Sequence, residues 1–151
     1  MRSPIAVLKC AAVPFLASIV GFGAGLATAH PAFAESAFQL ALRDTGKREY
    51  YCTATFELTA QTVVPYRDVN GYFYVFVGDQ QVGRSKGTSF NFAGGNTSAE
   101  ATFETPNAPC PDVDGYVFVV GACLQESGFA DQAECAAAID ATAPVREVRA
   151  R

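Results

Sequence analysis

Two four-residue phrases in this chain have the composition of a metal-binding turn: Asp68-Val69-Asn70-Gly71 and Asp112-Val113-Asp114-Gly115. Each sets two short oxygen-bearing side chains beside a glycine, and a D-x-(D or N)-G spacing opens many calcium loops. Neither phrase continues with the later oxygen donors that an EF-hand loop requires. The same residues also suit a plain turn. Asn, Asp and Gly tolerate the left-handed conformation of tight turns, and Asp68 or Asp112 can accept hydrogen bonds from nearby backbone amides. Both phrases are therefore read as turns that start strands, with no metal site. Under the calcium alternative, Asp112 and Asp114 are the ligands.

Other chemistries are limited by what the chain lacks. Its single histidine, His30, lies near the N-terminus, and it has no tryptophan. Once the segment carrying His30 is removed, no Ser-His or Cys-His nucleophile pair and no imidazole metal ligand can form. We read the protein as a non-enzyme without a cofactor. Tyr50, Tyr51, Tyr66, Tyr72, Tyr74 and Tyr116 offer rigid area with a polar tip, which suits a binding face as well as a core. Tyr51, on the outward face of its strand, and Tyr66, in a loop, are the candidate partner-binding residues.

The N-terminal segment has the features of an export signal. Arg2 and Lys9 accompany an apolar run, "CAAVPFLASIVGFGAGLATA", and Ala32-Phe33-Ala34 has the small-x-small form of a signal-peptidase site. Residues 1–34 are expected to be a signal peptide, although an apolar run of this length could also stay as a membrane anchor. Cleavage leaves 117 of the 151 residues, with nine basic side chains against 15 acidic ones, a net charge of −6. That balance argues against nucleic acid and against anionic membrane surfaces as partners. Four cysteines then remain: Cys52, Cys110, Cys123 and Cys135. In an exported chain they read as two disulfides, and no CxxC spacing suggests zinc. The location implied is periplasmic or secreted.

Strand periodicity dominates the rest of the chain. Phe38, Leu40 and Leu42 alternate with polar or small residues, and Cys52, Ala54, Phe56 and Leu58 alternate with Tyr51, Thr53, Thr55 and Glu57. "GYFYVFVG" and "GYVFVVGACL" are continuous apolar strands, "QQVGRSKGTSFNF" is a shorter polar pair, and "AGGN" is a tight turn. "DQAECAAAIDA" reads as one short helix with Asp131 as its N-cap. Residues 35–141 form the domain, and residues 142–151 are expected to be a disordered tail.

The repeat is longer than the acidic phrases. Ala54-Thr55-Phe56-Glu57 precedes the first and Ala101-Thr102-Phe103-Glu104 precedes the second. Each half is thus a polar-faced strand, a crossover and an apolar strand. This matches the B–C and E–F units of an immunoglobulin-like sandwich, which a rough two-fold axis relates. The fold expected is an all-β sandwich of about seven strands with that pseudo-two-fold repeat and a short C-terminal helix. On this mapping the start of B lies near the end of E, which favours Cys52–Cys110 and leaves Cys123 for Cys135. The rival pairing is Cys52 with Cys123.

The stretch from Cys52 to Cys135 resembles small exported bacterial immunoglobulin-like modules, including the FxLYD type. "FYVFVGDQQVG" and "AGGNTSAEATF" carry the resemblance, with Val77 and Gly78 standing where that signature has Tyr and its neighbour. The resemblance implies the fold and brings no functional residues. The function expected is an exported, non-catalytic binding or accessory module. It would act on a protein or an envelope polymer through a sheet face or edge. The alternative is a calcium- or small-ligand-binding module.

Overall fold

A computed structural model describes residues 36–151 apart from 49–50, 64 and 107–109. The expected signal peptide therefore lies outside the described residues, as does Tyr50. Where apolar residues alternate, the chain forms strands. These are β1 (Phe38–Arg48), β2 (Tyr51–Ala60), β3 (Tyr66–Val77), β4 (Gln80–Arg84), β5 (Thr88–Asn91), β6 (Ser98–Pro106) and β7 (Gly115–Gln125). Beyond them lie β8 (Gly128–Phe129), the helix α1 (Gln132–Ala137), β9 (Ile139–Ala141) and β10 (Val145–Ala150).

Two sheets face one another. One has the order β6-β2-β1-β9, and the other runs β10-β7-β3-β4, with β5 also on β3 and β8 on β7. The fold is the expected β-sandwich. β2 and β6 are antiparallel neighbours in one sheet, and β3 and β7 are antiparallel neighbours in the other. The core is aromatic: Phe56, Phe73, Phe90 and Phe118 are fully buried. Phe56 stacks on Phe73 with ring centroids 4.3 Å apart and meets Tyr116 edge-on at 4.9 Å. Full burial of each such ring stabilises the fold by about 2–3 kcal/mol before packing terms.

Three expectations are corrected. The first concerns the tail: residues 145–150 pair in parallel with Tyr116–Val120 of β7. Within that strand Val145 is buried and Val148 packs on the core. The second concerns the helix, which ends at Ala137, so that Ile139 can bury itself and start β9 alongside β1. Asp131 does cap it, its carboxylate accepting from the Ala133 and Glu134 amides. β8, β9 and β10 bring the strands among the described residues to ten.

The third correction concerns the repeat. Asn70-Gly71 is not a turn at a strand start but lies inside β3, opposite a bulge at Gly121. A Cβ on Gly71 would meet the Val119 carbonyl oxygen and the Phe118 ring, so glycine is required there by close approach. The second copy does start its strand, at Gly115. The two phrases also present opposite faces. Tyr116 and Phe118 point into the core, whereas their sequence equivalents Tyr72 and Tyr74 point out of the second sheet. A one-residue offset against the pleat is enough to exchange every side chain between faces.

The cysteines pair as Cys52–Cys110 and Cys123–Cys135. The first bond joins the start of β2 to the 3-10 turn after β6, and the second joins β7 to α1. Such pairs imply an oxidising, non-cytoplasmic environment. No helix among the described residues is long and apolar enough to cross a membrane.

Candidate strand-accepting groove

The sequence candidates do not converge. Tyr51 is exposed at the first residue of β2, opposite Pro106. Tyr66 is not in a loop. It is the first residue of β3, half-buried, with its ring 5.4 Å from that of Phe38. Phe38 pairs with Ala60 at the far end of β2, so the two tyrosines lie at opposite ends of a ten-residue strand, roughly 30 Å apart at 3.3 Å per residue. Tyr116 is core. Tyr72 and Tyr74 meet edge-on at 5.4 Å on the outer face of the second sheet, with the Arg84 guanidinium 4.8 Å above Tyr72.

The acidic phrases are likewise separated. Asp68 pairs with Leu124, and Phe76 pairs with Gly115, so Asp68 and Asp114 sit at opposite ends of the β3–β7 pair. Asp68 accepts a bond from the Ser89 hydroxyl at 2.7 Å. Asp114 accepts from the Gly78 amide at 3.1 and 3.2 Å and from Arg146 at 2.7 Å. Gly115 leaves the space that the Arg146 guanidinium occupies, and that group also lies 5.3 Å from the Phe76 ring. Asp114 thus ties the β3–β4 turn to the C-terminal strand. Asp112 is exposed in the 3-10 turn. Among the described residues, no group of three or more His, Cys, Asp or Glu side chains converges as a metal would need.

What the structure does assemble is a groove of about 950 Å³ along the open side of β6. Ala101, Thr102 and Phe103 of β6, with Tyr51 of β2, form one wall; Arg84, Lys86 and Thr88 form the other. β6 is the terminal strand of its sheet, because β5, although close to it, pairs with β3 instead. The direction of its backbone groups follows from parity. The Ala60 amide donates to the Thr97 carbonyl at 2.7 Å, and the β2–β6 register then runs without a bulge. In an antiparallel pair, alternate residues bond to the same neighbour. Ala99, Ala101 and Phe103 therefore spend their amides and carbonyls on β2. Those of Ser98, Glu100 and Thr102 point towards the open edge. Such an edge is a template for another strand.

Neither the groove nor the edge is announced by a sequence motif. The alternation of Ala99, Ala101 and Phe103 against Glu100, Thr102 and Glu104 marks a strand with one wet face. It says nothing of which neighbours the strand finds.

No protein-family model matches the chain. No curated protein matches it either. Among solved structures, that of IrmA from Escherichia coli superposes with a TM-score of 0.50 over 70% of this chain and 91% of its own, at 13% identity. At that identity the likeness extends to the fold alone.

Proposed function

We propose that this chain is an exported, non-catalytic binding module that accepts an extended segment of a partner polypeptide along the free edge of β6. The observation that carries the reading is that the backbone groups of Ser98, Glu100 and Thr102 point away from β2 on the terminal strand of its sheet, and that Thr102 also lines the groove. Main-chain bonds to such an edge supply affinity, and flanking pockets select alternate side chains. The leader-like N-terminus and the two disulfides support a periplasmic or secreted setting.

Proline substitution provides the test. Thr102→Pro deletes an amide that faces the groove and leaves the backbone ladder to β2 intact, at the loss of one exposed hydroxyl contact to Thr55 at 2.8 Å; edge strands tolerate such a proline. Ala101→Pro deletes an amide that β2 uses and should destabilise the fold by about 3 kcal/mol. The mature oxidised protein is titrated with unlabelled extended peptides while amide shifts are followed by NMR. We expect perturbations centred on β6 and β5 in the parent, and their loss in a still-folded Thr102→Pro variant. Binding that survives Thr102→Pro unchanged would sink the edge reading.

A further inference from the structure

Resting on that strand-addition reading, we infer that the segment accepted by β6 is acidic. It presents a glutamate or aspartate side chain from the face it turns towards Arg84 and Lys86, on the opposite wall of the groove.

That wall holds two cations in place. Between Phe73 and Gly71 of β3 stands one residue, Tyr72, but between their partners Ser85 and Thr88 stand two, Lys86 and Gly87. The β4–β5 edge is therefore bulged at this point, and bulges commonly re-aim a side chain. Two hydroxyls fix the bulge. Ser85 Oγ accepts from the Phe73 amide at 2.8 Å and donates to the Lys86 carbonyl at 2.8 Å. The Thr88 hydroxyl donates to the same carbonyl at 3.3 Å. Ser85 and Thr88 are both buried, so the bulge is anchored from inside and Lys86 is held where it lines the groove. Arg84 is fixed differently, its guanidinium lying over the Tyr72 ring at 4.8 Å.

Neither cation is neutralised. Among the described residues Arg84 and Lys86 make no ion pair, and a tyrosine ring carries no full charge. The carboxylates nearby are committed: Glu57 to Arg43 and Ser98, while Glu104, which shares the lining, is itself engaged. An added strand supplies the missing anion. Its residues beside Ala101 and Phe103 share their inner face. Facing sheets stand about 10 Å apart, a gap that a carboxylate side chain from one wall and a lysine from the other span together. A cation at that guest position would meet like charge, and a neutral residue would leave both host cations without a partner.

The test uses the mature oxidised protein and two nonapeptides, acetylated and amidated so that no terminal charge contributes. Each has Val on one face and Thr on the other, with Glu or Gln at the central position of the Val face. Isothermal titration at low and moderate salt gives the affinities. We expect the Glu peptide to bind roughly fivefold more tightly than the Gln peptide, and the gap to narrow as salt rises. Lys86→Gln keeps the carbonyl that Ser85 and Thr88 bind. In that variant the Glu peptide should lose much of its advantage, and the Gln peptide should bind as before. Equal affinities for the two peptides would overturn the charge inference and leave the strand reading standing. A Glu preference kept in full by Lys86→Gln would place the acid elsewhere and equally overturn the inference. Binding by neither peptide would overturn both readings, as would a Glu preference undiminished in Thr102→Pro.

Discussion

Asp114 and Glu57 are carboxylates whose neighbours decide their roles. In sequence Asp114 has the look of half a ligand pair, but its oxygens serve the Gly78 amide and the Arg146 guanidinium. The pair is partly exposed, so its ion-pair contribution is about 0.5–1 kcal/mol. Glu57 accepts a bond from the Ser98 hydroxyl at 2.7 Å, and this contact holds its carboxyl below the ordinary value of 4.5. Burial opposes that shift, while the hydrogen bond and charge of Arg43 assist it. A lowered folded-state value gives stability that is present above the unfolded value and lost as pH falls through the folded one. Glu57→Gln should therefore be less stable than the parent at neutral pH. The difference in urea midpoint should shrink as pH drops below about 4.5. A difference independent of pH across that range would show that ionisation of Glu57 contributes nothing to the fold.

At the scale of elements, period-2 alternation made β1, β2 and β6 legible, because each has one dry face and one wet face. The repeat's neighbour relations were legible too: β2 with β6, and β3 with β7. Its register was not. β3 begins five residues before Gly71, whereas β7 begins at Gly115 itself, so the same phrase enters the pleat with opposite parity. That difference depends on a bulge, and no local preference in the sequence encodes it. Gly71 and Gly121 face each other across the bulge but are not equivalent. A Cβ at Gly71 would strike the Val119 carbonyl and the Phe118 ring, whereas one at Gly121 would find its nearest atom, the Asn70 carbonyl oxygen, at 3.6 Å. We expect Gly71→Ala to cost about 3 kcal/mol, as overpacked cores do, and Gly121→Ala less than about 1 kcal/mol. Chemical denaturation of both variants checks the contrast, and equal losses would refute the close-approach account. The edge status of β6 was hidden for a related reason. It depends on β5 choosing β3 as its neighbour, a non-local outcome that four residues of β5 do not announce.

Across the whole molecule, the last 20 or so residues stitch the sandwich together. The Cys123–Cys135 bond holds α1 against β7, and from α1 the chain supplies β9 to one sheet and β10 to the other. The Cys52–Cys110 bond instead fixes the start of β2 beside the end of β6, within a single sheet. Loop-closure entropy alone ranks the 58-residue bridge above the 12-residue one, at about 4 against about 3 kcal/mol. Position adds a second consequence that entropy does not capture. Replacing Cys123 and Cys135 together by Ala removes the tether from which both parallel edge strands depart. Amides of residues 139–150 should then lose exchange protection ahead of global unfolding, as a weakly held unit does. Replacing Cys52 and Cys110 together should lower the urea midpoint further yet leave that segment protected up to the global transition. Hydrogen exchange resolved by residue separates these outcomes. If β10 stays protected without the Cys123–Cys135 bond, then its pairing with β7 and the Arg146–Asp114 contact are sufficient to hold it, and the short bridge contributes only its entropy.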